Sequence, residues 1–140
     1  MELNGTQVQM DEARILAALR RHWEYAATDQ AITHEIYHDD AVLEFPQSQE
    51  RFEGKANFLA WRQIYPADVN FKLRRIRGRG DFWVVELSLR YNGGPWQFGC
   101  SLLEFRGEKV ALETIYIMAG WEAPDWRASW RAAWQDDVLE

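Results

Sequence analysis

The chain has 140 residues, of which 47% are hydrophobic. This is enough for a single domain that buries most of its apolar surface without disulfides or metals. A formal net charge of −6 and a pI near 5.1 argue against nucleic acid and anionic membranes as partners. A single cysteine excludes an internal disulfide, and without a signal-like or long apolar run we expect a cytosolic protein.

Aromatic residues are unusually frequent, with eight Trp, seven Phe and five Tyr. Large aromatic side chains in a small domain belong to a core, an interface or an apolar pocket. One compact core does not need so many. The composition therefore favours a pocket or an interface in addition to the core.

Helical patterns occupy the first part of the chain, after a polar segment, residues 1–8, that we expect to be frayed. Asp11 is a candidate cap of the first helix, whose apolar stripe includes Ile15, Leu19, His22, Trp23 and Ala26. A short second helix is predicted to end at His38, and a third covers residues 55–65. Near the C-terminus, Pro124 opens a predicted fourth helix with Trp126, Trp130 and Trp134 at a spacing of four residues.

Strand patterns follow the helices, with one short strand between them at residues 41–45 that ends at Pro46. From residue 71 onward the hydrophobic period falls to two. Strands are predicted over residues 71–77, 82–91, 96–106 and 109–118, joined by short glycine-containing connections. Helices followed by an antiparallel meander indicate an α+β fold.

The segment Tyr37-x-Asp-Asp-Ala-Val-x-x-x-Pro46, followed by Glu50-Arg-x-x-Gly54 and a helix, resembles the SnoaL-like branch of the nuclear transport factor 2-like superfamily. Further matches occur in family order over one domain of residues 9–136: Asp81–Glu86, Tyr91-Asn-Gly, residues 103–110 and residues 123–127. The resemblance implies a cone-shaped, curved antiparallel sheet packed on the N-terminal helices. It also implies a pocket for a small molecule and a homodimer.

The two faces of the sheet differ in character. In the strand at 82–91, Trp83, Leu87 and their alternate neighbours form an apolar face for the helices, and the family geometry places Ser101 and Glu113 on the same side. The opposite face carries Phe98, Leu102, Tyr116 and Met118 among charges of alternating sign. Two interpretations stand for this outer face: a homodimer interface, or a solvated face with scattered hydrophobic residues.

The segment His34-Glu-Ile-Tyr-His38 matches the metalloprotease helix motif, in which two histidines hold zinc. Its context does not fit, because the predicted helix ends at Asp39-Asp40 and a third ligand lacks a workable spacing. We therefore predict no metal site. The motif is instead interpreted as the polar edge of a short helix.

His22 and Glu113 are the candidate catalytic residues, because an imidazole and a carboxylate in an apolar cone can act as general base and acid. The alternative is a structural hydrogen bond under the sheet, and Ser101 and Tyr65 have the same two interpretations. The ketosteroid isomerases, a sister branch, carry catalytic acids where this chain has Phe45 and Ser101, and a catalytic tyrosine near Arg21 or His22. The resemblance thus implies that their catalytic set is missing.

The predicted ligand-binding wall consists of Trp23, Trp61, Tyr65, Trp83 and Leu87, with His22, Ser101 and Glu113 as its polar points. These residues predict a domain that binds a small hydrophobic molecule, either as a cofactor-free acid/base enzyme of isomerase, cyclase or dehydratase type, or as a non-catalytic binding or dimerisation domain.

Overall fold

The computed structural model describes residues 5–135, with side chains from residue 11 onward. Three α-helices are present, namely α1 (Gly5–Glu24), α2 (Gln30–Thr33) and α3 (Lys55–Gln63), with 3-10 helices at His34–Ile36 and Asp125–Trp130. The six strands are β1 (Tyr37–Phe45), β2 (Glu50–Glu53), β3 (Val69–Arg79), β4 (Phe82–Tyr91), β5 (Gln97–Arg106) and β6 (Lys109–Met118).

The six strands form one curved sheet in the order β2-β1-β6-β5-β4-β3. All neighbouring pairs are antiparallel except β1 and β6, which are parallel, with Leu43 beside Glu113. The predicted α+β architecture is confirmed. The sheet is nevertheless mixed rather than wholly antiparallel, and it remains open between β2 and β3.

The second predicted helix is shorter than the sequence pattern indicated. Asp29 caps α2 by accepting a hydrogen bond from the backbone of Ile32 at 3.0 Å. The chain then passes through one 3-10 turn into β1, so Tyr37 and His38 are strand residues. The prediction failed because Tyr37 is buried beside Val110 of β6, a long-range pairing that overrides local helical periodicity.

β2 and the C-terminal segment also differ from the sequence-based expectation. Residues 50–53, where no strand is predicted, form β2, which pairs with β1 from Val42 to Phe45. The predicted fourth helix is a 3-10 helix that ends at Trp130. The C-terminal arm, residues 119–135, carries four tryptophans that are 70 to 83% exposed, which are Trp121, Trp126, Trp130 and Trp134. With no buried side, the arm lacks the packing that stabilises most helices in proteins.

The helix α1 begins at Gly5, before the predicted cap Asp11. Of the N-terminal segment expected to be frayed, residues 1–4 lie outside the described part of the chain, as do residues 136–140. Among the described residues, no helix is both long and apolar enough to cross a membrane.

The core lies between the helices and the inner face of the sheet. Residues at alternate positions of β4 and β5 face it, and Val85, Leu103 and Ser101 are fully enclosed. An irregularity between Glu104 and Phe105 shifts the β5–β6 pairing, so that Phe105 pairs with Val110, and both side chains are buried. Such bulges bend the strands, and this bending gives the sheet its concave side.

Candidate functional site

A cavity of about 1060 Å³ opens on the concave side of the sheet. The end of α1, the helices α2 and α3, and the first residues of β3 surround it, and β4, β5 and β6 form its floor with Leu87, Gly99 and Ile115. The position of Gly99 on this floor deepens the cavity, because a Cβ there would meet the side chain of Leu87 at 3.2 Å.

Aromatic side chains dominate the cavity walls. Trp61 of α3 packs against Phe45 and Phe52, with ring centroids 6.0 and 5.2 Å apart. Tyr65 stacks on Tyr91 at 6.2 Å. On the opposite wall, Trp23 contacts Phe71 edge-on at 5.3 Å. The predicted wall residues Trp23, Trp61, Tyr65 and Leu87 therefore all line the cavity.

His22 is a buried wall residue whose ring orientation is fixed by Thr33. Its Nδ1 lies 2.5 Å from the carbonyl oxygen of Thr33, which can only accept a hydrogen bond, so Nδ1 carries the proton. Burial lowers the pKa of His22 below its usual range, against the opposing charge of Glu113. The imidazole is consequently neutral near pH 7, and its Nε2 is an acceptor that no described residue occupies.

Glu113 does not bond His22. Its carboxylate is fully buried and accepts hydrogen bonds from the hydroxyl of Ser101, at 2.5 Å, and from the hydroxyl of Tyr37. The ring of Tyr37 lies edge-on to His22, with centroids 5.6 Å apart. The predicted pair is thus connected only through Tyr37, and Glu113 does not line the cavity itself.

Arg62 extends this network to the cavity. Its Nη1 donates to the hydroxyl of Tyr37 and to Nε2 of His34, each at 3.2 Å. His34 donates from Nδ1 to the carbonyl of Gln30 at 2.7 Å. Burial, followed by the Arg62 charge, lowers the pKa of His34 to about 4, which keeps it a neutral acceptor. Burial opposes the charge on Arg62, but Tyr37 and Glu113 outweigh it and raise the pKa of Arg62.

Three predicted site residues are not among the cavity-lining residues: Trp83, Ser101 and Glu113. Ser101 and Glu113 lie in the polar network instead. Trp83 packs over Gly78, its partner across the β3–β4 hairpin, and donates from its indole nitrogen to the carbonyl of Gly80 at 2.9 Å. Gly78 has no side chain, and the indole fills that space.

The two histidines of the metalloprotease-like segment point to separate partners. His34 bonds Gln30 and Arg62, whereas His38 lies on β1 with its Nε2 2.6 Å from the carbonyl of Arg106. They therefore do not form the pair on one helical face that the motif requires. His34 is buried, so it is not the exposed polar edge that the sequence suggested. Within the described range, no group of three or more potential ligands could hold a metal ion.

Sequence reasoning missed Tyr37, His34 and Arg62 as parts of the site. The signal for Arg62 was present, because it follows Phe58 by four positions and so shares the inward face of α3. Tyr37 and His34 gave no such signal, since the first two residues of β1, Tyr37 and His38, were assigned to the preceding helix.

Comparison with known proteins places this geometry in a family. The model of the SnoaL-like domain matches residues 13–113. No curated protein matches the sequence significantly. The chain is similar to a nuclear transport factor 2-like protein of unknown function from Burkholderia xenovorans LB400, with 41% identity, a TM-score of 0.85 and coverage of 90% of this chain and 99% of that one.

Two more distant structures share the fold. A protein from Kribbella flavida DSM 17836, provisionally described as a ketosteroid isomerase, has 22% identity, a TM-score of 0.76 and coverage of 90% and 93% of the two chains. An epoxide hydrolase from M. tuberculosis has 18% identity, a TM-score of 0.65 and coverage of 75% and 83%. The family match and the 41% identical relative together show that this chain belongs to the SnoaL-like branch of the nuclear transport factor 2-like superfamily.

Proposed function

We propose that this domain binds a small hydrophobic molecule in the aromatic cavity and that His22 acts on it as a general base. The observation that carries the proposal is the hydrogen bond from Nδ1 of His22 to the carbonyl of Thr33. This bond fixes the tautomer in which Nε2 has a free lone pair. In catalytic histidines generally, a hydrogen bond at one ring nitrogen likewise determines which nitrogen carries the proton. A neutral histidine in an apolar wall suits proton transfer next to a carbonyl group.

The reaction type that fits these residues is isomerisation, cyclisation or dehydration, each of which begins by removing a proton from carbon. Nε2 of His22 would take that proton, and the electrons left behind would move onto the carbonyl oxygen as an enolate. Arg62 is the cation at the cavity wall that could stabilise such an oxygen. Glu113 and Ser101 would serve as positioning residues, because they hold Tyr37, which in turn holds Arg62.

Proton abstraction can be tested without knowing the natural substrate. 2-Tetralone, a bicyclic ketone with exchangeable α-protons, is incubated with the protein in D₂O, and deuterium incorporation is followed by NMR. We expect the wild-type chain to accelerate the exchange and His22→Gln to reduce the acceleration by about a hundredfold or more. Calorimetry should show that the variant still binds the ketone.

The alternative function is a non-catalytic binding domain, and the same experiment separates the two. Binding of the ketone without faster exchange would contradict the catalytic role of His22 and favour a binding domain. Exchange that persists in His22→Gln would also contradict that role. If a panel of bicyclic aromatic compounds neither binds nor raises the melting temperature, the cavity is not a ligand site and both functions fail.

We also propose that two copies pair through the outer face of the sheet. Phe98, Tyr116 and Met118 are 48, 38 and 41% exposed, and they are adjacent because Phe98 pairs with Met118 and Cys100 with Tyr116. Leu102 extends the same surface. Light scattering at micromolar concentration should give twice the chain mass of 16.5 kDa. A monomer under these conditions would contradict the pairing.

A further inference from the structure

We infer that the ligand of the cavity is a hydrophobic carboxylate, whose charged end is held by Arg62 while its apolar body lies among the aromatic walls. This inference rests on the proposed binding function and adds the chemical class of the molecule. It follows from the bonds that Arg62 makes, the bonds it does not make, and the charges around the cavity.

The first step is that the protein neighbours of Arg62 are uncharged. Nη1 bonds the hydroxyl of Tyr37 and Nε2 of His34. His34 is neutral because burial and the neighbouring charge of Arg62 lower its pKa to about 4, and its Nε2 accepts from Arg62. Tyr37 is also neutral, since burial and the charge of Glu113 raise its pKa far above the usual value.

The second step is that Arg62 lacks a carboxylate partner. Among the described residues, arginines 14, 21, 51, 74, 75 and 106 each lie within 4.0 Å of a carboxylate, and Arg62 does not. The charge of Glu113 reaches it only across the hydroxyl of Tyr37. The network therefore stabilises the charge of Arg62 without giving it an anion as a direct hydrogen-bond partner, and a bound anion would supply that partner.

The third step concerns the two guanidinium nitrogens of Arg62 other than Nη1. Nε and Nη2 make no hydrogen bond to a described residue. Neither is a fully buried atom without a partner, so both remain accessible to a ligand. Arg62 lines the cavity. A guanidinium offers two parallel N–H groups along one edge, which match the two oxygens of a carboxylate.

The fourth step selects a carboxylate over a phosphate. Arg62 is the only lysine or arginine among the described residues that line the cavity, whereas Glu50 and Asp68 line it too and are acidic. A single cation compensates one negative charge, and the second charge of a phosphate would face these acids. The surrounding rings of Trp61, Phe45 and Phe52 favour an aromatic or alicyclic body over a polar one.

A matched pair of ligands tests the inference: 2-naphthoate and 2-naphthamide, which have the same shape and differ in charge. Isothermal titration calorimetry should show naphthoate binding at least tenfold more tightly to the wild-type chain. In Arg62→Met we expect this preference to disappear while naphthamide still binds. Arg79→Met, the same substitution at an exposed position outside the cavity lining, should keep the preference.

The outcomes distinguish the inference from the proposed function. Equal affinities for the two ligands in the wild-type chain, or a preference that survives in Arg62→Met, would overturn the carboxylate class and leave the cavity as a binding site. Binding of neither ligand would overturn the proposed function itself. If Arg62→Met does not fold, Arg62→Lys is measured instead, because lysine keeps the charge but lacks the two parallel N–H groups. An undiminished preference for naphthoate in Arg62→Lys would contradict the paired hydrogen bonds to the carboxylate.

Discussion

Glu113 was expected to face inward because the geometry of the resembled family places it on the concave side of the sheet, and its side chain is fully buried there. Its partners could not be predicted in the same way. Ser101 and Tyr37 reach it from β5 and β1, and Tyr37 lies 76 positions away in the chain. At the residue scale, the resemblance therefore predicts which face of the sheet a residue occupies, whereas its hydrogen-bond partners depend on tertiary contacts that a local pattern does not contain.

The carboxylate of Glu113 should be required for stability. Glu113→Gln replaces one acceptor oxygen by an NH₂ group that faces a hydroxyl donor, so one buried bond is lost. We expect the free energy of unfolding to fall by about 1–3 kcal/mol in urea titrations. Glu104→Gln, on the exposed face of the same sheet, should change it by less than about 0.5 kcal/mol. Equal effects of the two substitutions would contradict the buried network.

Stability should fall at mildly acidic pH because of His34. Its pKa is about 4 in the folded chain and 6.5 in the unfolded chain, so the unfolded state binds a proton first. The contribution is complete above about pH 6.5 and is lost as the pH falls towards 4, amounting to about 3 kcal/mol. In His34→Gln, which cannot titrate, the free energy of unfolding should depend less on pH in this window. An unchanged pH dependence would contradict the assignment.

At the scale of elements, the β3–β6 meander was predicted well and the first half of the sheet poorly. The meander consists of long alternating strands joined by short turns, and both signals are local. β1, whose β6 partner lies far along the chain, was predicted only over residues 41–45, and β2, which is four residues long, was not predicted. For the same reason the irregularity near Phe105, and the consequent burial of Val110, was not foreseen.

The β3–β4 hairpin contains a steric pairing that mutagenesis can isolate. A Cβ at Gly78 would lie 2.3 Å from the indole of Trp83, so Gly78→Ala must displace that ring. We expect a loss of about 1–3 kcal/mol in the free energy of unfolding. In a Trp83→Ala background the same substitution should cost less, because only the backbone oxygen of Phe82, 2.7 Å from the added Cβ, still obstructs it, and the double-mutant cycle gives the coupling energy with the indole. Additive effects would refute the packing of Trp83 on Gly78.

At the scale of the whole molecule, most of the exposed large hydrophobic side chains of the described residues lie on the outer face of the sheet and on the C-terminal arm. Trp121, Trp126 and Trp130 are each at least 75% exposed. The arm keeps contact with the sheet where Gly120 lies against Phe98 and where Arg74 stacks on Trp134 at 4.4 Å. Tryptophan is enriched among the residues that contribute most to protein interfaces, which agrees with the proposed pairing of two copies.

The pairing predicts the behaviour of a charged variant. Phe98→Glu places one carboxylate of each copy in the apolar interface and should give a monomer by light scattering. Its melting temperature should then no longer rise with protein concentration. Lys109→Glu, an exposed change of charge at the far end of β6, is the control and should remain a dimer. A Phe98→Glu dimer would place the interface elsewhere.

The parallel pairing of β1 with β6 has a consequence for how the chain folds during its synthesis. β1 leaves the ribosome before β6, and the strand that completes its hydrogen bonds is made some 70 residues later, because Val42 pairs with Leu112. Until then, β1 has only β2 beside it and one open edge. Contacts this distant in sequence slow folding, and an open edge invites association with other nascent chains. The growing polypeptide is therefore most vulnerable to aggregation before β6 appears.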